Sequence, residues 1–347
     1  MSMSDVNDGM IGGMARLLRI LAVALGLVVL GAAPAAADAA GPGDFLSTIT
    51  EISPATPGVA AEIQGGDAFL VLTVDPGRTV IVEGYQGEPY LRFQPDGTVE
   101  RNRLSTATYL NDDRRGQVAL PPEVQAADAD TEPVWEPVGS GGTYAWHDHR
   151  THWMSDASPQ VDRGQAVEGA YDPWRVPLVV DGARVEVRGT LTYASLVSPL
   201  PYVAVVVLSA ALVLLWLRRG LRLPAAALVV VSALAVVVGR ADYQATPDGG
   251  GNPLLWILAA VALVGAVGAT AFGGSSVGVG LSLLSVASLF GWAIFRIQVL
   301  TKPVLPTDLP FALDRASVAL ALGVSAAVAY LAVTSGALTL PALEDDD

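Results

Sequence analysis

From Pro201 onward the chain is dominated by five apolar runs, about 201–217, 223–239, 254–272, 277–295 and 317–333. Each has 17 to 19 residues, the short end of what crosses a hydrocarbon core of about 30 Å. No ionisable side chain stands in the middle of any run. The expectation is an all-α bundle of five transmembrane helices over 199–335, embedded in a lipid bilayer and followed by an acidic tail at 336–347. The loop Arg218-Arg219-Gly220-Leu221-Arg222 is strongly basic and therefore assigned to the cytoplasm. The loops 240–253 and 296–316 then face outward, and 273–276 and the tail inward. Trp216, Trp256 and Trp292 fall near helix ends, as in an interfacial aromatic belt. The pair 254–272 and 277–295 is rich in Gly, Ala and Ser, which predicts a close helical hairpin. The loop Lys302 to Pro310 carries Pro303, Pro306 and Pro310 and cannot be a regular helix. It is expected to lie against the ectodomain or the membrane surface.

The N-terminus agrees with that orientation. Arg16 and Arg19 precede the apolar stretch Ile20–Leu30 and the small residues Ala35-Ala36-Ala37, the order of a secretory signal peptide. Residues 1–37 read as that peptide, with a retained helix anchor as the alternative. The protein is thus expected in the cytoplasmic membrane, with residues 38–198 outside and the C-terminus inside. The outer segment holds 24 Asp and Glu against 11 Arg, counted over 38–198. Such a field disfavours nucleic acid and anionic lipid. There is no cysteine, so disulfides, thiolate metal sites and thiol nucleophiles are excluded.

Residues 38–198 read as short strands. Phe69–Val74 and Thr79–Gly84 flank the turn Asp75-Pro76-Gly77-Arg78, and Tyr90–Gln94 and Thr98–Arg101 flank Pro95-Asp96-Gly97. Arg175–Val180 and Arg184–Tyr193 flank Asp181-Gly182, the strongest hairpin signal in the chain. The fold expected is an all-β, immunoglobulin-like antiparallel β-sandwich. The stretch from about Asn111 to Gly142, rich in Asp, Glu and Pro, reads as a long surface loop.

One segment carries the candidate chemistry: Tyr144-Ala145-Trp146-His147-Asp148-His149-Arg150-Thr151-His152-Trp153-Met154. It contains all three histidines, and Met154 is the only methionine beyond the signal peptide. Imidazole suits copper, zinc and nickel, and a thioether adds preference for Cu(I). His147, His149, His152 and Met154 are therefore the candidate ligands, for copper first and zinc as the alternative. In a plain strand His147 and His149 share a face and His152 does not, so a three-histidine site needs a turn near Arg150-Thr151. Asp148 and Arg150 are placed to orient the rings from behind. The competing reading is a structural knot of hydrogen-bonded rings packed with Trp146 and Trp153.

Other segments point to no further chemistry. Asn111-Asp112-Asp113-Arg114-Arg115 lacks the alternating oxygen spacing of a calcium loop. No Gly-x-Ser-x-Gly elbow and no nucleotide loop is present, so no enzyme is expected. Transport is weakly supported, because carriers place ionisable groups within the membrane.

The segments Glu88-Pro89-Tyr90-Leu91-Arg92, Trp146 to Met154 and Lys302 to Thr307 resemble an actinobacterial family of multi-pass membrane proteins with secreted domains and no assigned activity. There is a looser similarity to copper-resistance proteins that join an external β-sandwich copper binder to a permease. This chain departs from them in lacking soft ligands in the membrane and a histidine at the mature N-terminus. Three roles follow as expectations: a metal-handling accessory factor, an envelope assembly protein that docks a protein partner without metal, and a transporter.

Overall fold

The computed structural model describes residues 41, 43–169, 171–216, 222–247 and 251–334. The expected signal peptide, residues 218–221 of the basic loop and the acidic tail lie outside them.

Ten strands come first: β1 Phe45–Ser53, β2 Val59–Gln64, β3 Phe69–Val74, β4 Val80–Glu83, β5 Pro89–Phe93, β6 Val99–Asn102, β7 Trp135–Gly139, β8 Thr143–Trp146, β9 Trp174–Val180 and β10 Ala183–Tyr193. They form a seven-stranded sheet in the order β1-β10-β9-β4-β5-β6-β7 and a three-stranded sheet in the order β2-β3-β8. Every pairing is antiparallel. Alternation drives this arrangement. In β9, Trp174, Val176, Leu178 and Val180 are buried and the residues between them are not. Both sheets contribute to one buried cluster, in which Leu70 and Leu72 of one meet Leu91 and Phe93 of the other set. All four are fully buried, each worth about 1.5–3 kcal/mol by the apolar area removed from water.

The hairpin read from Asp181-Gly182 is present. Val180 pairs with Ala183, and Asp181 and Gly182 both have positive φ, 50° and 86°, as a two-residue type I′ turn requires. The β5–β6 hairpin is also formed. Asp75 to Arg78, in contrast, joins strands of different sheets, since β3 pairs with β2 and β8 while β4 pairs with β5 and β9. The acidic stretch 111–142 is not wholly a loop. It contains β7 at the edge of the large sheet and a single helical turn at Pro122–Gln125. An edge strand tolerates Pro137 and charged neighbours because one side of its backbone needs no partner.

Five long helices follow: α1 Leu200–Trp216, α2 Arg222–Gln244, α3 Leu254–Phe272, α4 Ser276–Phe295 and α5 Phe311–Thr334. Four contain segments long and apolar enough to cross a membrane: Ala225–Gln244, Leu254–Phe272, Ser276–Phe295 and Phe311–Leu331. Among the described residues α1 has 17 and is shorter than these, so four of the five expected spans are long enough there. Leu200, Leu208, Val230 and Val264 point outward and are more than two-thirds exposed, as lipid-facing side chains are. The close α3–α4 hairpin is borne out: a Cβ at Gly265 would lie 2.9 Å from the Leu281 carbonyl oxygen. Trp292 is not a belt residue. It is fully buried, and its indole donates to the Leu255 carbonyl at 2.6 Å.

Two helices run past the apolar runs into charged sequence, α2 as far as Gln244 and α5 from Phe311. Helical hydrogen bonding continues wherever neighbouring side chains cover the charges, so a hydropathy boundary is not a helix boundary. The proline loop rests on the β-region, one of the two placements expected. Gly43 and Val304 exchange backbone hydrogen bonds at 2.9 and 3.1 Å, and the Lys302 amine reaches Asp44 at 2.5 Å.

Candidate metal centre

The site is built where β8 ends. Pairing of Trp146 with Leu70 in β3 brings the next residue, His147, beside the Ala68 carbonyl. The strand stops at Trp146 and the chain turns over 148–151. The Thr151 amide and hydroxyl both donate to the Asp148 carbonyl, at 3.0 and 2.9 Å. Asp148 is fully buried and accepts from the Trp146 indole at 2.8 Å and from the Arg150 amide, Nε and Nη2 at 3.0, 2.8 and 2.7 Å. Burial alone raises its carboxyl pKa, but the Arg150 charge and these donors outweigh that and hold it down at about 2. This is the turn that a three-histidine site needs, and it returns His152 to the side of His147 and His149.

The three imidazoles converge. One ligand nitrogen from each lies within 4.8 Å of the other two. The ring centroids of His147 and His152 are 4.1 Å apart, and His149 stands 5.8 and 5.4 Å from them. Each ring commits its other nitrogen to a backbone carbonyl: His147 Nδ1 to Ala68 at 2.5 Å, His149 Nε2 to Asp113 at 2.9 Å, and His152 Nδ1 to Trp153 at 3.2 Å. A neutral imidazole that donates at one nitrogen offers a lone pair at the other. The free donors are therefore His147 Nε2, His149 Nδ1 and His152 Nε2. Two of them, on His147 and His152, are shut from solvent and have no hydrogen-bond partner.

No protein-family model, curated protein or solved structure matches this chain.

Electrostatics keep the His147 and His152 rings neutral. Burial is the largest cause in both buried histidines, reinforced by the Arg114 charge. It lowers the His147 pKa to about 4 and that of His152 to about 2. The backbone carbonyls of Ala68 and Arg114 partly oppose the shift at His147. Arg114 is itself neutralised by Asp67, which it grips at 3.0 and 2.9 Å. His149 is half-buried and stacks on Tyr85 at 5.7 Å, and the Tyr85 hydroxyl accepts from its amide at 3.0 Å. On its open side a cavity of about 470 Å³, lined by Tyr85, His149, Arg150, Tyr171, Pro173 and Arg175, leads to the surface.

Met154, the fourth expected ligand, is half-buried. The convergence that the structure shows is of the three histidines. Asp148 and Arg150 do not orient the rings as expected; they lock the turn, and the carbonyls of Ala68, Asp113 and Trp153 do the orienting. Those carbonyls were invisible in the sequence. Two belong to residues 79 and 36 positions away from the rings they hold, and a backbone oxygen leaves no residue-type signal.

Proposed function

We propose that the chain is a membrane-anchored metal-handling protein whose β-domain, displayed outside the cytoplasmic membrane, binds one copper ion through His147 Nε2, His149 Nδ1 and His152 Nε2, with Met154 assisting. The observation that carries this reading is the pair of buried, partnerless nitrogens on His147 and His152. A buried polar atom without a partner is costly, and a site that aims two at one point gains most by coordinating an ion there. Carbonyl-anchored rings with inward lone pairs are the arrangement in which imidazole ligates metals.

The donor set favours copper over zinc. Three neutral nitrogens supply no negative charge, so a monovalent ion costs less to bury than a divalent one. Cu(I) suits neutral nitrogen and thioether ligands, whereas structural zinc sites take four ligands. The half-buried edge of His149 gives the ion its route in from the surface cavity. Outward placement of the acidic domain fits the same reading, since an acidic field favours cations. The rival reading is an envelope assembly factor, for which the Asp148–Arg150–Trp146 knot would be purely structural.

The deciding experiment is Cu(I) and Zn(II) titration of the full-length protein in detergent, beside His147→Ala and His152→Ala variants checked for fold by circular dichroism. One tightly held copper per chain, lost in both folded variants, is the expected result. A wild-type protein that takes up neither metal stoichiometrically would leave the knot as the whole explanation.

A further inference from the structure

Asp242 near the end of α2, Arg296 at the C-terminal cap of α4 and Asp314 in the first turn of α5 meet inside the bundle, at the end that carries the proline loop. All three side chains are at most 3% exposed. Arg296 Nη2 lies 2.9 and 2.8 Å from the two Asp314 oxygens and also contacts Asp242 Oδ2. One guanidinium nitrogen thus faces three carboxylate oxygens with two hydrogens to give. Asp242 Oδ1 is shut from solvent without a partner, as are Arg296 Nε and Nη1, beside which the Trp292 ring stands 4.9 Å from the guanidinium carbon.

The other cations nearby are committed elsewhere. Arg315 donates to the carbonyls of Val299, Lys302 and Pro303, Lys302 pairs with Asp44, and Arg240 lies over the Tyr243 ring. Two buried carboxylates against one guanidinium repel each other, and a proton relieves that repulsion by turning one of them into a donor. We propose that Asp242 and Asp314 hold one exchangeable proton between them, which makes this end of the bundle a proton-binding site. The balance is simple: two carboxylates and one proton become a carboxyl–carboxylate pair of charge −1, matched by Arg296.

A second observation points the same way. Ser325 and Ser285 lie eleven residues along α5 and α4 from Asp314 and Arg296, about three turns or 16 Å deeper and rotated by only about 20°. Both are fully buried, and neither hydroxyl has a partner; the same is true of Ser232 on α2 and Ser288 on α4. A hydroxyl both donates and accepts, so these four are further buried polar groups without a partner on the same three helices. Ionisable groups within transmembrane segments mark ion and proton routes, and Asp242 and Asp314 fall within two of the candidate spans.

The test is infrared spectroscopy of the full-length, metal-free protein in detergent micelles, reading the carbonyl stretch of protonated carboxyl groups at about pH 7, where free aspartates are ionised. The expected result is a carboxylic-acid band that titrates away in alkali and is lost in Asp242→Asn and Asp314→Asn. It should persist in Asp67→Asn, the buried carboxylate of the β-domain. An Asp314→Glu variant keeps charge and hydrogen bonding and should shift the band frequency, which decides the matter even where the Asn variants fail to fold. Absence of the band in wild type, or its persistence unshifted in every Asp242 and Asp314 variant, would overturn the proposal.

Discussion

Asp148 accepts hydrogen bonds from four nitrogens within two residues of itself, and these lock the turn that carries His149 and His152. Replacing it with Asn removes the charge that Arg150 needs while leaving that guanidinium buried. Breaking a buried pair in this way costs about 3–5 kcal/mol. Asp148→Asn should lower the stability of the β-region by that order in urea unfolding and weaken metal binding in parallel. The buried histidines set a separate pH dependence. His147 falls from 6.5 to about 4 on folding, and His152 from 6.5 to about 2. Below pH 6.5 the unfolded chain therefore binds more protons than the folded one. Their contribution is complete above pH 6.5 and is lost as pH drops toward 4 and below. Thermal melting of the metal-free protein should show that loss, and His147→Gln combined with His152→Gln should flatten it. A wild-type melting point unchanged between pH 7 and pH 5, at about the unperturbed histidine range, would contradict neutral burial of the rings.

At the scale of elements, legibility followed whether a segment's own residues decide its conformation. The β9–β10 hairpin was readable because Asp181-Gly182 is the turn and alternation in β10 marks its two faces. Substituting Gly182 by Val should destabilise the β-region by about 1 kcal/mol or more, since φ of 86° suits glycine alone. Urea midpoints of the two proteins check this. The edge strands β1 and β7 were not readable. β1 carries Ser47, Thr48, Thr50 and Glu51, and it is a strand because β10 offers a free edge along Phe45–Ser53. The helices were legible as apolar runs, and their ends were not. Asp242, Asp314 and Arg315 extend α2 and α5 because they find partners across the bundle, which a hydropathy boundary cannot register.

For the whole molecule, the proline loop ties the bundle to the β-region through Lys302–Asp44 and the Gly43–Val304 hydrogen bonds. Asp44 is also held by Arg163 at 3.3 Å, and Phe45 stacks on Trp153, next to His152, at 5.8 Å. Lys302→Glu should set the two parts loose. Hydrogen exchange in residues 43–53 is expected to rise, while copper affinity stays unchanged because no ligand or ring-orienting carbonyl is touched. Protection that stays at wild-type levels would show that the contact is not what holds the parts together.

The sequence by itself determined the division into a β-rich part and an apolar helical part, and the concentration of every imidazole in one short segment. Both are properties of local composition and spacing, which residues carry with them wherever they fold. Only the tertiary structure decided that the three rings converge and which nitrogen of each is free. It likewise decided that two aspartates from distant helices share one arginine. Those outcomes depend on backbone carbonyls and side chains brought together from far apart in the chain, and a distance in space has no signature in residue type.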